Sequence, residues 1–253
     1  LGMISAKDFA RHQTDRLCRD SQSYRIYLID NFEQHFYIVP EVKTTHGDML
    51  VRLLKSGRDD LEIRAMNTSL GNGLALVLRE LARGACADAV ISSVPGSNYT
   101  YDQISSLFSH RIRIRAENIL AHQADLRQLM RQIAFKGFPS AQWLEQVDVN
   151  SVKLKNDARK FVFIEALSRF GIPVLLPYGN PDSRHKGKMK TVNLLSLAPN
   201  AMVFSALDLQ GNRVPGFPYS PLSSGDEPAF YTVIECPLIQ DPFRAALDIN
   251  RDW

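Results

Sequence analysis

Long apolar runs are absent. No stretch of about 18 apolar residues occurs in the 253-residue chain, so the sequence encodes no membrane-spanning helix. Cysteine is scarce: Cys18, Cys86 and Cys236 make an odd count with no Cys-x-x-Cys pair, which excludes a zinc knuckle and a dithiol redox motif. A chain of this length can bury a core without a disulfide framework, so three reduced and mostly buried thiols are expected. Charge of one sign is not in excess either. Thirty Lys+Arg against 27 Asp+Glu give +3, too little to argue for a nucleic-acid partner. No His-Glu-x-x-His occurs, and His12, His35, His110, His122 and His185 stand without ligand spacing, so no metal site and no cofactor are expected. Residues 1–20 hold no apolar signal core, which makes a cytoplasmic location the default and leaves open export by a route without a cleaved signal.

What is present reads as an ordinary folded chain, 45% apolar and 23% charged. Arg25-Ile26-Tyr27-Leu28-Ile29-Asp30 is a short apolar run that ends in an acid, the pattern of a buried strand. Thr44 or Thr45 can cap a helix that opens at His46 and is ended by Gly57. Further along, extended stretches at 35–42, 61–66, 87–92, 172–176, 201–207 and 230–234 alternate with helices at 73–83, 116–135 and 156–170. A helix is also expected over 5–20, and irregular chain over 137–153. Alternating strands and helices, with no repeat and no clean linker, predict one α/β domain: a mostly parallel sheet covered on both faces.

In a parallel sheet, functional groups gather where strands end at their carboxyl side. Asp30 closes the first strand. Ser92 and Ser93 follow Ala89-Val90-Ile91, and Asn180 follows Val174-Leu175-Leu176 by a short turn. His46 opens a helix with Gly47 behind it. A carboxylate that orients an imidazole, an imidazole that moves a proton and a carboxamide that donates to an oxyanion are the parts of acyl-transfer chemistry.

The order and context of these residues resemble the subtilisin-like serine peptidases. Tyr27-Leu28-Ile29-Asp30 is similar to the strand that ends in that family's catalytic aspartate. His46-Gly47-Asp48-Met49-Leu50-Val51 is similar to its His-Gly-Thr-x-Val-Ala helix start. The helix, turn and strand from Leu74 to Ser93 resemble those before its Ser-x-Gly substrate edge, for which Ser93-Val94-Pro95-Gly96 stands. Gly171 to Asn180 resembles the approach to its oxyanion asparagine, and Ala198 to Ala206 the strand after it. The resemblance spans roughly residues 24–237 and implies a three-layer subtilisin-like fold over a single domain, residues 1–253. It also implies Asp30, His46 and Asn180 as catalytic residues, Ser93 and Gly96 as substrate-binding residues, no cofactor, and a peptide or protein as ligand.

The departures matter as much. Asn31-Phe32 replaces the small residue and glycine after the aspartate, and Asp48 replaces threonine after His46-Gly47. No Gly-Thr-Ser-x-Ala-x-Pro segment follows the last strand, and no serine follows Pro237. Ser220, Ser223 and Ser224 occur earlier, in a turn-rich setting. Two accounts stand: a degenerate member that binds protein without cleaving it, or a serine endopeptidase whose nucleophile comes from an unusual position or from C-terminal sequence the chain lacks. Lesser signals have plainer readings. Gly71-Asn72-Gly73 is a helix-start turn, Arg111, Arg113 and Arg115 form a solvated strand face, and Arg184 to Lys190 is a surface loop.

Overall fold

The computed structural model describes residues 18, 23–39, 42–56, 58–94, 96–108, 112–115, 118–119, 121–136, 149–177, 191–207 and 232–237. In chain order the elements are β1 (Tyr24–Asp30), β2 (His35–Val39), β3 (Val42–Thr45), α1 (His46–Lys55), β4 (Leu61–Asn67), α2 (Leu70–Ala82), β5 (Ala89–Ser92), β6 (Asn98–Thr100) and α3 (Tyr101–Ser105). There follow α4 (Gln123–Lys136), α5 (Val149–Arg169), β7 (Val174–Pro177), β8 (Thr191–Asn193), a 3-10 turn (Leu194–Leu197), β9 (Ala201–Leu207) and β10 (Thr232–Pro237).

Six strands form one parallel sheet in the order β10-β9-β7-β5-β1-β4. β1 lies inside it, with Asp30 opposite Asn67 of β4 on one side and Ile29 opposite Ser92 of β5 on the other. The chain leaves β1 for β4 and then returns past β1 to β5. By the right-handed rule for parallel connections, crossovers in opposite directions put α1 and α2 on opposite faces; α2 packs on α5 and α5 on α4. The reversal makes the carboxyl ends of β1 and β5 the switch point of the sheet, the position where such folds open a crevice.

The core explains why the apolar runs are where they are. Ile29 of β1, Val90 of β5, Val174 of β7 and Val203 of β9 are fully buried in one cluster with Leu74 and Val77 of α2 and Phe161 and Ile164 of α5, while Leu28, on the opposite face of β1, is fully buried outside that cluster. Gly73 belongs to this packing. A Cβ there would meet Ile29 Cδ1 at 2.5 Å, so the missing side chain lets α2 lie close on β1. The Gly71-Asn72-Gly73 segment is thus the first turn of a helix capped by the Ser69 side chain, and that helix starts three residues ahead of the predicted Gly73. Gly84 and Gly171, at φ 89° and 76°, end α2 and α5 in the left-handed conformation that glycine adopts without penalty.

Several expectations give way. The helix predicted from residue 116 begins at Gln123, because Asn118 spends its amide on local backbone: it accepts from Arg115 N–H at 2.7 Å and donates to Arg113 C=O at 2.8 Å. The expected arginine strand is no strand. Residues 112–115 have no regular structure, and Ile114 is buried with its N–H donating to Ser105 Oγ at 2.8 Å while Arg113 and Arg115 point outward. α5 starts at Val149 rather than 156, since adding a turn ahead of the buried stripe Leu154, Ala158 and Phe161 needs no new nucleus. The last strand runs to Pro237, beyond the predicted 234. The pair β6–β8 was not legible at three residues each.

The cysteines also depart from expectation. Cys18 and Cys86 are joined in a disulfide, with Cα atoms 5.5 Å apart. The bond ties the segment ahead of β1 to the turn ahead of β5, strands that are neighbours in the sheet, so residues 68 apart in sequence meet only after the sheet forms. The helix expected over 5–20, apart from Cys18, and the loop at 184–190 lie outside the described residues.

Candidate active site

The site is built at the carboxyl end of β1. Asp30 ends the strand with its carboxylate 3% exposed. The next residue turns the chain: Asn31 Oδ1 accepts from the N–H groups of Glu33 and Gln34 at 2.9 and 2.8 Å, and Asn67 Oδ1 of β4 accepts from Phe32 N–H at 3.1 Å. A β2–β3 hairpin then carries the chain back to the same rim.

His46 is placed by the cap of α1. Thr45 has extended backbone and its Oγ1 accepts from Asp48 N–H at 3.0 Å, while the Thr45 hydroxyl donates to Asp48 Oδ2 at 2.6 Å. Asp48, where the resembled family has threonine, therefore completes the cap. Gly47 N–H donates to Asn31 C=O at 3.0 Å, which locks the helix start onto the Asp30 turn. The Phe32 ring occupies the space a side chain at Gly47 would need, 2.5 Å from an ideal Cβ. Phe32 and Gly47 are thus one packing unit, and the bulky residue after Asp30 is accommodated because glycine follows His46.

These constraints bring His46 Nδ1 to 2.8 Å from Asp30 Oδ2. The imidazole is 47% exposed, so the acid is sealed inside while the base faces solvent. A proton on Nδ1 shared with the carboxylate leaves Nε2 as the basic nitrogen. Burial pushes the Asp30 carboxyl up, but the His46 hydrogen bond, the nearby Ser93 hydroxyl and the Asn31 N–H, which donates at 2.6 Å, bring it net below its ordinary 3.8. The Asp30 hydrogen bond raises His46 above its ordinary 6.5, against the opposing effect of partial burial. The positive end of the α1 dipole also opposes an imidazolium there, so the carboxylate is what holds the proton.

Of the sequence-predicted residues, Asp30 and His46 meet, and Ser93 follows Ser92, which lies opposite Ile29, the residue before Asp30. Gly96 lies elsewhere on the same loop. It is buried, and a Cβ on it would sit 2.6 Å from Leu195 Cδ1 and 2.9 Å from Asn193 Oδ1. Asn180 lies outside the described residues, as do Ser220, Ser223 and Ser224. Sequence reasoning missed the buried carboxylate behind this loop: Asp157, 1% exposed, accepts from Ser97 N–H at 2.8 Å, Tyr99 Oη at 2.9 Å and Lys160 Nζ at 2.8 Å. Its signal was an acid inside an apolar helix stripe, between Leu154 and Phe161. Among the described residues no group of three or more His, Cys, Asp or Glu side chains is placed to hold a metal ion, and no helix is long and apolar enough to cross a membrane.

Compared with protein-family models, with curated proteins and with solved structures, the chain matches none.

Proposed function

We propose that this chain is a subtilisin-like serine peptidase domain in which Asp30 orients His46 and His46 acts as the general base. The observation that supports this reading is the 2.8 Å bond between a buried carboxylate and a half-exposed imidazole, at the switch point of a parallel sheet. A carboxylate that fixes one ring nitrogen leaves the other free to take a proton from a nucleophile and return it to a leaving group. Asn180 would donate to the oxyanion, Ser93 and Gly96 would belong to the edge that meets the peptide, and the nucleophilic hydroxyl would come from outside the described residues. A specific observation favours a second reading, a pseudo-peptidase that binds protein ligands: no Gly-Thr-Ser-x-Ala-x-Pro segment occurs in the sequence. Without an activated hydroxyl, no acyl-enzyme can form.

A fluorophosphonate probe separates the two. Under the peptidase reading it labels one serine covalently, and His46→Ala abolishes the labelling. A protein that is never labelled, or is labelled equally well in His46→Ala, removes His46 from the role of base. Cleavage of any member of a peptide library by the purified protein would reject the binding reading. The Cys18–Cys86 disulfide favours an oxidising compartment over the cytoplasmic default. Peptide mapping under non-reducing conditions should recover the linked pair from the native source; free thiols at both positions would return the protein to a reducing compartment.

A further inference from the structure

One peptide group joins the strand end that carries the acid to the helix start that carries the base. Its carbonyl belongs to Asn31 and its N–H to Phe32, directly after Asp30. Gly47 N–H donates to the Asn31 C=O at 3.0 Å, and Phe32 N–H donates to Asn67 Oδ1 at 3.1 Å. The C=O and N–H of a trans peptide point in opposite directions, so the plane is held from both sides: by the first turn of α1 on one and by the end of β4 on the other. Gly47 N–H lies where no carbonyl of the helix itself can accept it, and Asn31 fills that place. On the preceding peptide, Asn31 N–H donates to Asp30 Oδ1 at 2.6 Å. Asn67 closes β4 opposite Asp30 in the register and is exposed.

We infer that Asn67 is a positioning residue for the Asp30–His46 pair: its Oδ1 fixes the Asn31–Phe32 peptide plane, and that plane seats the start of α1, where His46 stands. The role rests on the peptidase reading of the pair and adds to it a side chain from the neighbouring strand, acting through backbone rather than on substrate. Without the Oδ1 acceptor, Phe32 N–H must turn to water for a partner. Rotating that peptide carries the Asn31 carbonyl away from Gly47, because both groups belong to one rigid plane. The Phe32 ring, wedged where a Gly47 side chain would stand, springs from the same residue, so the second contact between the turn and α1 loosens with the first. His46 then keeps its place in the helix, but the helix loses its seat on the Asp30 turn.

Two NMR readouts on the whole chain test this, the His46 ring titration and the exchange rate of the Gly47 amide. Asn67→Ala removes the acceptor, whereas Asn67→Asp keeps an oxygen in the same place and adds a charge. In Asn67→Ala the His46 titration should fall from its raised value toward 6.5, as the Asp30 bond that raises it weakens. Gly47 amide exchange should quicken about tenfold, the factor that one hydrogen bond carries. The Val90 amide, which donates to Pro173 C=O at 2.9 Å within the sheet, reports general opening and should quicken less. Asn67→Asp should keep the Gly47 amide protected and hold His46 at or above its wild-type value, because a nearby carboxylate favours the imidazolium. A His46 titration unmoved in Asn67→Ala, equal acceleration of the Gly47 and Val90 amides, or a fall of His46 in Asn67→Asp as large as in Asn67→Ala would overturn the assignment. If Asn67→Ala fails to fold, Asn67→Ser, which places its hydroxyl one bond short of the Oδ1 position, takes its place and is read by the same outcomes. The two levels fail separately. A wild-type His46 that titrates no higher than in Asp30→Asn rejects the pair and this role with it, whereas a raised wild-type value that Asn67→Ala leaves in place rejects only the role of Asn67. The expected responses without any fluorophosphonate labelling reject the peptidase reading and leave Asn67 as the support of the pair.

Discussion

The two ends of β1 make an instructive pair. At the amino end, Arg25 N–H donates to Asp88 Oδ2 at 2.8 Å and Cys18 N–H to Asp88 Oδ1 at 3.4 Å, while Arg25 Nε pairs with Glu62 at 2.8 Å and its Nη1 reaches Cys86 Sγ at 3.2 Å. At the carboxyl end, Asp30 accepts from Asn31 N–H and His46. Each end thus has an aspartate with more than one donor. The lower aspartate accepts backbone amides and sits beside a covalent cross-link, so it fastens chain to chain. The upper one accepts a titratable ring that is half in solvent, so it controls a proton. One strand serves structure at one end and proposed chemistry at the other because its direction fixes which end faces the loops of the switch point.

This contrast can be broken by experiment, and the largest effect belongs to the lower end. Opening the Cys18–Cys86 loop, by Cys18→Ser with Cys86→Ser, should cost about 4 kcal/mol of stability on the chain-entropy estimate for a loop of this length. The melting temperature should fall while the His46 titration stays where it was. A changed titration would mean that the two ends are not independent. At the upper end, Gly47→Ala forces the Phe32 ring aside and should cost about 1–3 kcal/mol as an overpacking change. Here the His46 profile should shift as well as the denaturant midpoint; a loss of stability alone would show that α1 moves without disturbing the pair. Thr45→Ala removes the cap of α1 and should cost about 1 kcal/mol, measured by urea unfolding.

The pH dependence is the smallest effect and the most specific to the upper end. His46 has its folded value raised, so its contribution is fully present below the unfolded value of 6.5 and is lost as pH rises through the folded one. Asp30 has its folded value lowered, so its contribution is present above 3.8 and is lost as pH falls through the folded value. The pair should therefore stabilise most in the mildly acidic window between these values. His46 is half exposed, so solvent screening keeps the gain modest. Asp30→Asn should flatten this profile and return His46 toward its ordinary range; a profile unchanged in Asp30→Asn would assign the pH dependence to other groups.

Much of this was legible residue by residue. β1 could be read because Ile26, Leu28 and Ile29 need two covered faces, and α1 because Thr45 is a helix cap ahead of an amphipathic run. The start of α4 could not be read. Asn118 sits in a sequence that suits a helix, and only its bonds to Arg113 and Arg115 show that it declines one. The disulfide was illegible for a related reason: at a separation of 68 residues nothing local distinguishes a bridged cysteine from a buried thiol. The candidate acid and base stood out because each ends or opens an element. Asp157 did not, because an acid within a helix looks solvent-exposed until Ser97 and Tyr99 are brought onto it.

The sequence by itself determined the alternation of strands and helices, the start of α1 behind Thr44 or Thr45, and the positions of Asp30 and His46 at element ends, since all of these follow from periodicity and backbone chemistry within a few residues. The tertiary structure alone decided that α1 swings back to set the imidazole 2.8 Å from the carboxylate, and that Cys18 finds Cys86. Those contacts join segments from 16 to 68 residues apart, and strand order in a parallel sheet, set by crossover hand and core packing, is a property that no local run of residues carries.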